Sequence, residues 1–174
     1  GENRALVISA TGTGKTILSA LAAKQFSPSR VLFIAHREQI LRKAAEEFQR
    51  VFQAPAKDFG FFVGKDKDTE PRFIFSSIQS LSKTENLNKF SPTDFDFVIV
   101  DEVHRGIAKT YETVLDHFKP KFLLGLTATP ERTDGKDIFR IFDYNVAYEI
   151  RLQEALEAKM LCPCLLYTSD AADE

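Results

Sequence analysis

The sequence predicts a single α/β domain in which helices flank a parallel β-sheet. Two observations support this. Short, continuously apolar runs recur along the chain, and such runs are typical of strands that are buried on both faces. Amphipathic stretches follow the first two runs, and an alternation of strand and helix implies parallel strands joined by right-handed crossovers. At 174 residues, the chain is long enough for one domain with a sizeable core.

Five apolar runs are the predicted central strands, and a sixth run is predicted as a short additional strand. They are RALVISA (4–10), VLFIAH (31–36), FIFSSI (73–78), FDFVIVD (95–101), FLLGLTA (122–128) and the short FGFFVG (59–64). Helical spacing predicts helices over KTILSALAAKQF and REQILRKAAEEFQRVF, the second of which places Ile40, Ala44, Phe48 and Val51 on one face. Ligands of such sheets bind at the carboxyl ends of the strands, so the chemical motifs are expected there.

Composition limits the classes of function. A net charge of −2 argues against a wholly basic surface, although a local basic stripe remains compatible with it. No apolar run approaches the roughly 18–20 residues that span a bilayer, and no secretory signal is visible. The two cysteines, Cys162 and Cys164, are too close for an ordinary disulfide and too few for a metal site. We therefore expect no membrane association and a reducing, cytoplasmic environment.

Both ends of the chain suggest a piece of a longer protein. The first predicted strand begins a few residues after Gly1, and the tail CLLYTSDAADE (164–174) abandons the charged–apolar rhythm of RLQEALEAKML (151–161). The tail can be encoded by a nucleotide string that resembles the end of a transposase-type sequencing adapter. We interpret residues 164–174 as translated adapter and residues 1–163 as the natural domain. A natural, disordered C-terminus is the alternative.

The segment ATGTGKT (10–16) has the context of a phosphate-binding loop, because it follows a predicted strand and opens a predicted helix. Its glycines let successive backbone N–H groups face an anion at the positive end of the helix. Lys15 could then reach the β- and γ-phosphates of ATP, and the Thr16 hydroxyl could ligate Mg²⁺. The alternative is a glycine-rich turn with an incidental lysine. The predicted nucleotide-binding residues are Thr11, Gly12, Thr13, Gly14, Lys15 and Thr16.

Hydrolysis of a nucleotide also needs carboxylates, and FVIVDEVH (97–104) supplies two at the end of a predicted buried strand. Asp101 would hold Mg²⁺ through water. Glu102 would orient and deprotonate the attacking water. Two adjacent acids at a strand end could instead form a solvated corner. Asp101, Glu102 and Lys15 are the predicted catalytic residues, with Thr16 and Asp101 as the metal ligands.

Five segments in this order, ATGTGKT, AHREQI, SSIQSL, DEVH and TATP, resemble the motifs of superfamily 2 helicases. The closest resemblance is to DEAD/DEAH-like members related to the helicase subunits of restriction enzymes, and it covers residue 4 to about residue 160. It implies a phosphate-loop NTPase fold of the RecA-like type, here the first of two motor domains. The general phosphate-loop pattern has glycine at the position that Ser9 occupies here. Members of this helicase family are not restricted to glycine at that position, because the later glycines shape their loop.

The resemblance implies further roles for polar residues near the strand ends. His104 would link the nucleotide site to Thr127 and Thr129 of the TATP segment and so report hydrolysis, although His104 could also be a surface turn residue. Nucleic-acid backbone contacts would come from the residues that follow the second strand and from those at the end of strand 73–78. Their polar and charged side chains suit contacts that position a strand without reading its bases. These residues are His36, Arg37, Ser76, Ser77 and Gln79. Arg37 could instead simply start a helix.

The function that follows from the resemblance is ATP hydrolysis, with Mg²⁺, coupled to movement on nucleic acid, with DNA favoured over RNA. The expected partner is a second RecA-like domain in the same parent chain, which would supply arginine fingers. An isolated first domain is therefore expected to be inactive. One alternative is an ATP-dependent switch or scaffold without unwinding, and another is the motor of a restriction or nuclease complex. For the fold, we expect strand 122–128 between the strands ending in the phosphate loop and in Asp101.

Overall fold

The computed structural model describes residues 3–9, 14–102, 108–128 and 140–142, together with the backbone of 146–150. Its centre is an eight-stranded sheet with the order β4-β3-β5-β2-β6-β7-β1-β8. All neighbouring strands are parallel except the hairpin of β3 and β4. The strands are β1 Arg4–Ser9, β2 Val31–Ala35, β3 Phe59–Val63, β4 Asp66–Lys67, β5 Phe73–Ser77, β6 Phe97–Asp101, β7 Phe122–Thr127 and β8 Val146–Ile150. The predicted α/β class with a parallel sheet is confirmed.

Helices cover both faces of the sheet. They are α1 Lys15–Phe26, α2 Glu38–Phe52, α3 Ile78–Leu81, α4 Thr84–Leu87 and α5 Ala108–His117, with a 3₁₀ turn at Ala56–Asp58. Because side chains alternate across each strand, two cores form. Helices α1 and α2 pack on one face through Ala20, Leu41 and Phe48. Helices α3 to α5 pack on the other through residues such as Leu81 and Val114.

Strand β7 lies between β6 and β1, as the sequence predicts, and hydrogen-bonds to both. In this register Thr127 is opposite Ile8, and Asp101 is opposite Leu126. Gly125 lets the Phe142 ring pack against β7, because a Cβ atom there would lie 2.4 Å from that ring. The order brings the carboxyl ends of β1, β7 and β6 side by side at one edge of the sheet.

Helix α1 differs from a simple amphipathic helix. It buries the small residues Ser19, Ala20 and Ala23, whereas Ile17, Leu18 and Leu21 remain exposed. Small side chains let a helix approach a sheet closely, which explains the choice of buried face. The predicted 151–161 segment and the 164–174 tail lie outside the described residues.

Candidate functional site

The carboxyl ends of β1 and β6 border an open cleft of about 420 Å³. The end of the predicted phosphate loop and the acidic pair both line this cleft, although nearly ninety positions of sequence separate them. The lining residues are Gly14, Lys15, Thr16, Ile17, Ile40, Lys43, Glu47, Asp101 and Glu102. The fold therefore places the expected cationic and carboxylate groups around one space.

Gly14 sets the geometry of the loop where helix α1 begins. Its φ of 76° lies in the left-handed region, which glycine occupies without the strain that a Cβ atom would impose. Its carbonyl accepts the first helical bond, from Leu18 N at 2.9 Å. The N–H groups of the first turn of a helix have no partner within the helix, so this turn is suited to bind an anion.

Lys15 and Glu102 meet across the cleft. Lys15 Nζ lies 3.4 Å from Glu102 Oε1, and the two side chains are 11% and 17% exposed. Glu102 is held in the left-handed region at φ 55°, an unusual conformation for a residue other than glycine. Its backbone N–H donates to Leu126 O at 2.9 Å, so β7 fixes this turn. Residues held in this way often occur at functional sites.

Asp101 and Thr127 end the two neighbouring strands β6 and β7, and both are buried. Asp101 lines the cleft together with Thr16, which opens helix α1. A carboxylate and a hydroxyl on the same cleft are oxygen ligands of the kind that Mg²⁺ accepts from proteins. Thr127 lies one position past Leu126, the residue opposite Asp101.

Tyr111, which the sequence interpretation did not single out, lies behind this site on α5. The side chain is 1% exposed, and its hydroxyl has no hydrogen-bond partner among the described residues. Burial raises the pKa of Tyr111 to about 12, and the charges of Asp101 and Glu102 act in the same direction. The phenol is thus a buried polar group near the acidic pair.

We expect Tyr111→Phe to stabilise the chain, because it removes a buried hydroxyl whose lost hydration no described residue replaces. The gain in the free energy of unfolding should be about 1 kcal/mol near neutral pH. Tyr111 has a higher pKa folded than unfolded, so between about pH 10 and pH 12 the unfolded chain loses its proton first. Wild-type stability should therefore fall more steeply than that of the variant in this range. Urea unfolding at several pH values measures both effects, and a destabilised variant at neutral pH would contradict the assignment.

The predicted nucleic-acid residues after β2 lie on the surface. His36 and Arg37 are exposed, and Arg37 is the residue before α2, where its carbonyl accepts from Ile40 N. Gln79 of α3 is also exposed, and its Nε2 donates to His36 Nδ1 at 2.8 Å. This contact joins the segments that follow β2 and β5 into one surface.

Ser76 and Ser77 are buried instead. Ser76 Oγ donates to Phe62 O at 2.8 Å. Ser77 Oγ caps α3 by accepting from Ser80 N, and it also donates to Ser80 Oγ. Both hydroxyls therefore hydrogen-bond within the protein, and they stabilise the turn on which Gln79 lies.

The remaining predicted residues are not covered. Thr11, Gly12, Thr13, His104 and Thr129 lie outside the described residues. Within the described part of the chain, no helix is both long and apolar enough to cross a membrane.

Comparison with known proteins gives a family match. Residues 1–132 match the model of the family described as type III restriction enzyme, res subunit. The chain is 30% identical to the type I restriction enzyme EcoAI endonuclease subunit of Escherichia coli, a match that covers 94% of the chain and 21% of that protein. It is 25% identical to the DNA 3'-5' translocase XPB2 of Sulfurisphaera tokodaii, over 88% of the chain and 33% of that protein.

Solved structures agree on the fold. The Hef helicase domain of Pyrococcus furiosus superposes with a TM-score of 0.68 at 22% identity, covering 86% of the chain and 35% of that structure. A fragment assigned as the HsdR subunit of a type I restriction enzyme from Vibrio vulnificus gives 0.64 at 29% identity, covering 89% and 27%. The chain spans 21% to 31% of the length of the first curated relatives that it matches.

Proposed function

The chain belongs to the family of the type III restriction enzyme res subunit, and we propose that its parent protein is an ATP-driven helicase or translocase on DNA. Within that parent, the chain is the RecA-like, ATP-binding domain of a superfamily 2 helicase. The observation that carries the proposal is the pairing of Lys15 with Glu102 across the cleft. A cation for phosphates and a carboxylate for water thus share one space. We assign residues 1–163 to this domain.

The described residues fit a magnesium nucleotide. Lys15 would hold the β- and γ-phosphates at the start of α1, where Gly14 already adopts the turn that a phosphate loop needs. Thr16 and Asp101 would hold Mg²⁺, whose charge would neutralise the phosphates when bound. The loop residues Thr11, Gly12 and Thr13 would complete the binding segment.

The ion pair gives the site a simple sequence of events. The Lys15 ammonium is 3.4 Å from Glu102. Phosphate oxygens would compete for that ammonium, because charge-assisted contacts to phosphate are strong. When Lys15 turns to the phosphates, Glu102 would be released from the ion pair. Glu102 would then accept the proton of the attacking water, so nucleotide binding itself would prepare the base.

Coupling to movement would start next to the acidic pair. We propose that Thr127, at the end of β7, responds with His104 and Thr129 to the loss of the γ-phosphate. Its support is the strand order, which places Thr127 between the phosphate-loop strand and the Asp101 strand.

DNA would cross the surface of His36, Arg37 and Gln79, with Ser76 and Ser77 shaping the turn beneath it. The preference for DNA over RNA rests on the motif resemblance. Relatives named as a DNA translocase and as a restriction endonuclease subunit agree with it, whereas another relative is named as an RNA helicase. The restriction endonuclease subunit also supports a nuclease domain or subunit as a partner, besides a second RecA-like domain in the parent chain. We place the protein in the cytoplasm.

The first experiment is steady-state ATP turnover by this purified chain, with and without single-stranded and duplex DNA. We expect weak Mg²⁺–ATP binding, hardly any turnover and no stimulation, because an arginine from a second domain is worth about 10³- to 10⁵-fold in phosphate-loop enzymes. The parent protein should show DNA-stimulated turnover. A DNA-stimulated rate of several per second from this chain alone would refute the two-domain motor.

Strand displacement by the parent protein separates a helicase from an ATP-dependent switch. A helicase should separate a labelled duplex only with hydrolysable ATP. Turnover without displacement or translocation would favour the switch.

A further inference from the structure

Two lysines lie close to one phenylalanine at the hairpin edge of the sheet, and a third lysine acts on one of them electrostatically. Lys67 of β4 is opposite Phe62 of β3, and its Nζ lies 4.6 Å from the centre of the Phe62 ring. Lys89 Nζ lies 5.9 Å from the same ring centre. Lys83, the residue before α4, acts electrostatically on Lys67. We call Lys67, Lys83 and Lys89 the lysine cluster.

The lysine cluster brings several positive charges close enough to act on one another. Among the described residues, no ion pair joins any of the three lysines to an acid. Asp66, the acid next to Lys67 in the chain, instead pairs with Arg42 at 2.7 Å. Burial lowers the pKa of Lys67, and the charges of Lys83 and Lys89 lower it further, while Glu85 and Asp66 oppose this. An anion between these lysines would relieve their repulsion.

The position of the cluster connects it to the surface proposed for DNA. Phe62 is opposite Ser76 in the sheet, and Ser76 Oγ donates to Phe62 O. The chain then runs from Ser76 into α3, where Gln79 contacts His36. The lysine cluster and the His36–Gln79 pair are thus connected through the Ser76–Phe62 hydrogen bond and the turn that leads from Ser76 into α3. Lys83 and Lys89 are exposed, and Lys67 is partly exposed.

We propose that the lysine cluster is a second phosphate-contact surface, which binds the backbone of the same DNA beyond the His36, Arg37 and Gln79 contacts. The inference rests on the proposed function. Ammonium groups on flexible stems suit this role, since they attract phosphates as point charges and carry no base information. They would increase the length of DNA held and the salt dependence of binding, because each neutralised phosphate releases counterions.

The test is fluorescence anisotropy of this chain with labelled single-stranded and duplex DNA over a range of salt concentrations. The variant is Lys67→Gln/Lys89→Gln, which removes both charges and leaves polar side chains at the two positions. The matched control is Lys57→Gln/Lys119→Gln, which removes the same charge from exposed lysines that precede β3 and β7, at the amino-terminal edge of the sheet. Lys67→Arg/Lys89→Arg retains the charge.

For Lys67→Gln/Lys89→Gln, the cluster variant, we expect the logarithm of the DNA association constant to depend less steeply on the logarithm of the salt concentration. The slope should become shallower by about 1.4 for single strands and about 1.8 for duplex, for two lost phosphate contacts. The arginine and control variants should keep the wild-type slope. Lys83→Gln, at an exposed position, should lower the slope by about half as much and avoids any loss of packing on Phe62. Thermal unfolding of each variant monitors the fold.

Two outcomes overturn the inference, and they differ in what they leave standing. If wild type binds DNA and the cluster, Lys83 and control variants all keep its slope, the lysine cluster does not touch DNA, but the proposed function survives. If the wild-type chain binds neither DNA even at low salt, the DNA surface of the proposed function fails together with the cluster.

Discussion

Lys15→Ala is expected to abolish ATP turnover in the parent protein and to weaken Mg²⁺–ATP binding to this chain about 10- to 100-fold. The estimate follows from the roughly 1.5–3 kcal/mol that a hydrogen bond to a charged group contributes. No other described cation faces the site in the same way: Lys43 lines the cleft from α2, whereas Lys15 opens the helix whose N-terminus would bind the phosphates and already contacts Glu102.

The control is Lys24→Ala, which removes the same side chain from the last turn of α1, where it bonds to Val51 O. Lys24→Ala should leave nucleotide affinity unchanged. Equilibrium binding to the chain and turnover of the parent protein are measured in parallel. If Lys15→Ala turned over ATP normally, the cleft would not be the nucleotide site.

Glu102→Gln should impair ATP turnover but, unlike Lys15→Ala, should not weaken nucleotide binding. The amide keeps the shape of the side chain but cannot accept the water's proton, so turnover by the parent protein should fall by about 10²- to 10⁴-fold. Nucleotide binding should persist or tighten, because Lys15 no longer has to leave a carboxylate 3.4 Å away. Rapid-quench turnover and equilibrium binding together separate these effects.

Glu47→Gln is the matched control, since Glu47 lines the same cleft from α2 and pairs with Arg50. Its variant should hydrolyse ATP normally. A wild-type rate from Glu102→Gln would show that another group is the base.

Much of this site could be predicted because its residues directly follow or end strands that are recognisable in the sequence as continuous apolar runs. Runs such as VLFIA and FVIVD are apolar on both faces, which identifies buried parallel strands and hence the edge where Lys15 and Asp101 meet. The position of β7 follows from the need to place Thr127 between them. The chemical roles of these residues stay predictions that the variants test.

Other features depend on tertiary contacts or on segments too short for periodicity. Strand β4 has two residues, and α3 and α4 have four each, so no repeat can be detected in them. The burial of Ser76 and Ser77 and the hydrogen bond from Ser76 to Phe62 O depend on neighbouring strands, which the local sequence does not reveal. Helix α5 was detectable, since Tyr111, Val114, Leu115 and Phe118 have helical spacing. The burial of the Tyr111 hydroxyl, away from any partner among the described residues, was not detectable, because it depends on tertiary contacts.

The most direct test of the central claim is calorimetric titration of the wild-type chain with ATP, with and without Mg²⁺, alongside Lys15→Ala. We predict weak, saturable, magnesium-dependent binding with one ATP per chain, and a marked loss of that binding in Lys15→Ala. Absence of binding at millimolar ATP, or equal binding by wild type and Lys15→Ala, would contradict the assignment of the cleft as the nucleotide site.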